Sequence, residues 1–266
     1  MQILKGLSPL GIYNTIILLV PLFILVLYIG FQQWRKRGSA ATTSHTDVFT
    51  FHMVILELIG VVGFTFYCYG IYTDGQFIIE VGSGLFALIS PGQTLFHLLT
   101  CVERYLAVVH PVIYLRLRQG GGVRIRNISI GCVWCICFIS ASLQVIILAR
   151  VISDFVLLVF SSIVVCFCSI SVLFVLIRPG PGEGGGNRER VDQSKQRAFY
   201  TIMAIMAALL LRFLSSIVTT AFFVLMSGTC QDYVLIWSLF WFTVPSSLVL
   251  PLLFLQRAGK LPGCKH

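Results

Sequence analysis

The side chains able to do chemistry in this sequence are few, and most stand in apolar surroundings. Glu57 and Arg212 each lie within a long apolar run. A charge near the centre of a bilayer costs about 2.5–3.5 kcal/mol on insertion scales unless it faces a partner or a wet cavity. Gln93 and Ser246 occupy similar runs and carry the hydrogen-bonding groups such a charge needs, so the four residues are expected to share one polar interior. Two readings stand side by side: a static Glu57–Arg212 ion pair that fixes helix packing, or a cluster that switches or binds a ligand. Elsewhere Glu103-Arg104-Tyr105 places an acid and a base together at the end of an apolar run, followed by Leu-Ala-Val-Val-His110-Pro111. Adjacent opposite charges at a water boundary can pair in one state and exchange for other partners in another.

Motifs of catalysis are wanting. The sequence has no H-E-x-x-H, no G-x-S-x-G, no Walker loop and no clustered carboxylates, so neither an enzyme nor a cofactor is expected. Gly180-Pro-Gly182-Glu-Gly184-Gly185 satisfies G-x-G-x-x-G in form, but it follows an apolar run where a strand would be required, and it reads as linker. Cys132-x-x-Cys135-x-Cys137 and Cys166-x-Cys168 have metal-like spacings inside apolar segments, where thiols pack as small apolar side chains. His52 and His97 stand alone on apolar faces and read as packing residues. Cys68 and Cys230 are the pair closest to the oxidising side and could bridge, although spacing cannot give their separation. Cys264, beside Arg257, Lys260 and Lys265, fits a juxtamembrane palmitoylation site.

The elements that must position these groups follow from composition. Of 266 residues, 57% are hydrophobic and 11% charged, against roughly 25% charged in soluble domains. Mean hydropathy is +0.92. Such a chain cannot cover its core with polar surface, so a soluble enzyme is excluded and a membrane protein is implied. Apolar stretches of spanning length fall at 11–33, 49–72, 78–108, 128–149, 152–177, 199–226 and 233–255. The expected fold is therefore all-α: a single seven-transmembrane helix bundle over 1–266 with a short tail at 256–266. The first stretch runs into Trp34-Arg35-Lys36-Arg37 and reads as an uncleaved span. Of the nineteen Lys and Arg, sixteen fall on one side of these spans, two (Lys5 and Arg150) on the other, and Arg212 within a span. Basic residues are retained in the cytoplasm, which sets the amino terminus outside and the carboxyl terminus inside. The net charge of +9 thus reflects cytoplasmic loops against membrane lipid, and no nucleic-acid partner is expected. Asn127-Ile-Ser129 is a glycosylation sequon in pattern, but it falls on the cytoplasmic side.

The run from Glu103 to Pro111 closely resembles the Asp/Glu-Arg-Tyr motif and following stretch of rhodopsin-like (class A) G-protein-coupled receptors. The likeness extends more weakly along the chain. Trp134 stands where the family has its helix 4 Trp, and Glu57 where helix 2 carries an Asp. Leu250-Pro251-Leu-Leu-Phe254 is similar to a degraded Asn-Pro-x-x-Tyr, followed by a basic segment from Gln256 to Lys260. The resemblance implies that Arg104 engages a heterotrimeric G protein when helix 6 swings outward, with Glu103 restraining it at rest and Tyr105, Pro251 and Phe254 part of the switch. It implies that Glu57, Gln93 and Ser246 correspond to the interior cluster that binds sodium in many members. The chain also departs from the pattern. Ile79 replaces the helix 3 cysteine, Phe86 replaces the amine-binding Asp of aminergic members, and Leu211-Arg212-Phe213-Leu214 replaces Cys-Trp-x-Pro. The acid expected at the base of helix 6 falls near Ser194, with Asp192 close by, which implies high basal activity.

The resemblance thus implies an orphan-like, divergent receptor of the plasma membrane that transduces a small-molecule or lipid-like signal. With little extracellular sequence the ligand should be small, and Arg212 favours an anionic group on it. The alternatives are a small polytopic transporter using Glu57 and Arg212 as intramembrane charges, and a receptor-fold protein that does not signal and associates with other membrane proteins.

Overall fold

The computed structural model describes residues 19–33, 35, 45–118, 120–143, 147–177, 188–225 and 244–257, and among them there are helices and turns but no strand. The helices are α1 (Leu19–Gln33), α2 (His45–Thr73), α3 (Gln76–Ala87), α4 (Ile89–Val109), α5 (Pro111–Arg118), α6 (Gly120–Ser142), α7 (Ile147–Ile177), α8 (Arg188–Leu225) and α9 (Val244–Arg257). Among the described residues, four apolar segments are long enough to cross a bilayer: His45–Thr73, Gln76–Val109 through α3 and α4, Gly122–Ser142 and Ile152–Val175. Shorter apolar helices cover Leu19–Gln33, Phe199–Ser215 and Ser246–Gln256. The described residues are all-helical, and their long apolar helices make this a protein of multi-pass membrane type. Helices extend beyond several apolar stretches. α6 begins at Gly120 where apolarity begins near 128, and α8 begins at Arg188 where it begins near 199. Hydropathy marks where a helix meets lipid, whereas Arg, Gln and Glu continue a helix into water at little cost.

Local chemistry accounts for the bends. α2 and α3 form an antiparallel hairpin through Asp74, whose φ of 54° is tolerated by Asp, and Gly75, whose N–H donates to the Gly70 carbonyl at 2.9 Å. Glycines let the two backbones meet. A Cβ on Gly82 would fall on the Tyr67 backbone and 2.7 Å from the Gly63 carbonyl oxygen, and one on Gly63 would lie 2.7 Å from the Phe86 nitrogen. Close approach of small residues is how helices associate in lipid, where apolar burial gives no net drive. α3 stops at Ala87 because Pro91 lacks the N–H that would bond that carbonyl, and its ring crowds it. The ladder resumes with Gly92 donating to Leu88 at 3.3 Å.

α4 is the hub. It packs against α2, α6, α7 and α8 and touches α9. Its residues Pro91–Leu98, Thr100, Cys101 and Glu103 are buried, as a helix surrounded by others requires. Its main core includes Met53, Leu56, Phe96, Cys101, Val165, Ile202, Ile205, Leu209 and Leu250. A second cluster, Phe23, Val26, Val54, Phe254 and Leu255, seats α1 against α2 and α9.

Candidate functional site

Ser90, Gln93 and His97 recur at helical spacing on α4, so they line one of its faces, and the interior polar site is built on that face. The Gln93 amide is its centre. Nε2 donates to a Glu57 carboxylate oxygen from α2 and, at 2.7 Å, to Ser247 Oγ from α9, while Oε1 accepts from Arg212 Nη1 of α8. An amide donates from its NH2 and accepts at its carbonyl oxygen, so facing a carboxylate with one end and a guanidinium with the other fixes its orientation. Arg212 Nη2 donates to Ser90 twice, to the backbone oxygen at 2.9 Å and to Oγ at 2.6 Å. Glu57, Gln93 and Arg212 are all at least 95% buried. Asp154 of α7 and Glu57 both place negative charge near Arg212. The rings of Phe155 and Phe213, stacked with centroids 5.7 Å apart, bring α7 and α8 together beside it.

The network joins α2, α4, α8 and α9 through side chains. Glu57 and Arg212 belong to one cluster but are not a direct pair, since Gln93 lies between them. Ser246 is wholly buried with its backbone against His97, and the hydroxyl bonded to Gln93 is that of Ser247. His97 is wholly buried one turn along α4, its ring set against the backbone of Gln93 and Ser246 without a well-formed hydrogen bond.

The second site lies at the C-terminal end of α4, eleven residues beyond Gln93, about 16 Å along the axis at 1.5 Å per residue. Glu103 is buried and Arg104 half-buried. They meet through a third residue: Thr46, in the first turn of α2, donates from Oγ1 to Glu103 Oε2 and accepts from Arg104 Nη2 at 2.8 Å. A threonine hydroxyl can do both at once. The Arg126 charge of α6 also acts on Glu103. Tyr105 turns the other way. Its hydroxyl lies 3.2 Å from His110 Nε2, and its ring packs on Phe167 of α7 at 5.9 Å between centroids.

Other sequence candidates fall into place individually. Trp134 Nε1 donates to His52 Nδ1 at 3.3 Å, tying α6 to α2, and His52 stacks on Phe96 at 6.2 Å. Pro251 is inside α9, and Phe254, one turn on, meets Phe51 edge to face at 5.3 Å. Cys132 and Cys135 face outward while Cys137 is buried, and among the described residues no group of His, Cys, Asp and Glu could hold a metal. Cys68 is buried; Cys230 and Cys264 lie outside the described residues. Asn127 and Ser129 are on α6.

Thr46, Ser90, Ser247 and Asp154 are the participants that the sequence reading did not single out. Ser90 carried a usable signal, three residues before Gln93 on one helical face. Thr46 carried none, since its role depends on how the start of α2 meets the end of α4. No family model matches the chain, and no curated protein matches it.

Proposed function

We propose that the chain is a seven-span receptor of the rhodopsin-like kind, amino terminus outside the plasma membrane and carboxyl terminus in the cytoplasm. It passes a small-molecule or lipid-like signal to a heterotrimeric G protein. The observation that carries this reading is the linkage of Arg104 to Glu103 through the single hydroxyl of Thr46. A hydrogen bond between membrane helices is worth about 0.6 kcal/mol on average, so this restraint is one that a cytoplasmic partner can displace. About 16 Å along α4, Arg212 latches α8 to α4 through Gln93 and Ser90. An anionic group entering the bundle competes for the same guanidinium donors and releases α8, which is how the ligand reaches the coupling end. Arg212 supplies the positive charge beside Glu57 that sodium supplies in the resembling family. The same buried charges fit a small transporter, for which substrate flux in proteoliposomes without G protein is the discriminating result.

The test is G-protein nucleotide exchange in membranes expressing the wild type, Arg104→Ala and Arg212→Gln at matched surface levels, without ligand. Arg212→Gln, which removes the latch, should raise exchange above the wild type, and Arg104→Ala should reduce it to background. Equal exchange from all three proteins would overturn the receptor reading.

A further inference from the structure

From Arg104 to Ser153 the sequence contains no Asp or Glu, but it contains Arg104, Arg116, Arg118, Arg124, Arg126 and Arg150. Arg126 is buried, donating to Asn127 Oδ1 at 3.3 Å. Arg116 on α5 and Arg124 in the first turns of α6 are exposed. Large aliphatic side chains lie beside them: Val112 is 69% exposed, Leu115 58% and Ile125 54%. At 3.6 residues per turn Val112, Leu115 and Arg116 share one side of α5, and the half-buried Tyr114 and Leu117 the other. α5 thus turns an aliphatic and basic face outward while its opposite face packs on the bundle, against α4 and α6.

α5 packs on α6, whose exposed Ile125 and Ile128 fall within Gly122–Ser142, a segment long and apolar enough to cross a bilayer, so this face adjoins that segment. Aliphatic tips with arginines at the border of a span suit the boundary between acyl chains and headgroups, where arginine stems lie along apolar surface and guanidinium groups meet phosphate. We propose that α5 and the first turns of α6 dock on anionic phospholipid, Val112 and Leu115 reaching the acyl boundary and Arg116 and Arg124 holding phosphates in the fork geometry guanidinium favours. The inference is independent of G-protein coupling. It has a mechanical consequence, since α5 continues from α4 through His110, whose N–H donates to Leu106 at 3.1 Å and whose carbonyl accepts from Tyr114 at 3.0 Å. Lipid bound there braces the end of α4 that carries Arg104.

The test is hydrogen exchange of the segment 111–118 in the full-length protein, reconstituted in nanodiscs of phosphatidylcholine alone or with about one third phosphatidylglycerol, anionic lipid giving the surface charge that basic residues read. Each exposed arginine near such a surface adds about fivefold in occupancy, so the anionic discs should slow exchange about 25-fold. The slowing should shrink at high salt as the charges are screened. Arg116→Gln with Arg124→Gln should abolish the difference between discs, while Arg116→Lys with Arg124→Lys should keep most of it and controls for folding. Equal exchange in the two discs, or a slowing that survives the glutamine pair, would overturn the proposal. Slowing that requires an added acidic protein, and not the lipid, would overturn it in favour of a protein partner.

Discussion

Replacing Gln93 by leucine removes the adapter between two buried charges while keeping the volume of the side chain close to native. Three side-chain hydrogen bonds are lost, to Glu57, to Ser247 and from Arg212. At about 0.6 kcal/mol each they account for about 2 kcal/mol. The larger cost is electrostatic. Arg212 keeps only Ser90 among its hydrogen-bond partners and Glu57 loses its amide donor, and leaving a buried polar group short of a partner costs about 1–3 kcal/mol, more when it is charged. The two overlap, so the expected destabilisation is about 3–5 kcal/mol, which at roughly 2–4 °C per kcal/mol lowers the unfolding midpoint by about 6–20 °C. A thiol-reactive fluorophore followed on heating in detergent measures it, because Cys101 and Cys137 have no exposed surface and Cys168 has 2%, so all three react only on unfolding. The companion variant Glu57→Leu, Gln93→Leu, Arg212→Met removes the two charges bonded to the adapter, leaving the half-buried Asp154, and should recover part of the loss, as buried ion pairs replaced by apolar residues of similar volume commonly do. A shift below about 2 °C for Gln93→Leu, or a triple variant no more stable than the single one, would refute the view that Gln93 holds an otherwise costly pair.

Three further substitutions probe the sites and the elements that position them. Gly82→Leu should lower stability by about 1–3 kcal/mol or more, because the atoms its Cβ meets are backbone of Tyr67 and Gly63 and cannot yield. Gly131→Ala, where a Cβ meets nothing within 4 Å, should leave the midpoint unchanged or raised; similar shifts for the two variants would refute the close-approach argument. Thr46→Val keeps the shape and deletes the hydroxyl shared by Glu103 and Arg104, so it should cost about 1–2 kcal/mol and raise basal nucleotide exchange. Unchanged stability and exchange would mark the hydroxyl as idle.

What could be read from the sequence was decided by cost. A charge in an apolar run is too expensive to stand alone, so Glu57 and Arg212 had to find polar company, and Gln93 is found between them. The same reasoning could not choose between an ion pair and a bridged network, because both satisfy the charges. It also could not prefer Ser247 to Ser246. Neighbouring residues on a helix point about 100° apart, and the rotation of α9 against α4 decides which hydroxyl meets the amide. Apolar length found the membrane segments but not the helix ends, since α6 and α8 extend into sequence that hydropathy leaves outside.

The inner end of α4 illustrates the deeper limit. Glu103 and Arg104 are adjacent in sequence, which suggests a pair, yet side chains one residue apart on a helix do not face each other. Each therefore reaches for a neighbour, and the hydroxyl within reach of both is Thr46, brought there by the register of α2 against α4. That register is set elsewhere, by the Trp134–His52 bond, the Phe96–His52 stack and the glycine seam of the α2–α3 hairpin. A residue's availability for chemistry is local and can be read from its type and spacing; the identity of its partner depends on packing several turns away.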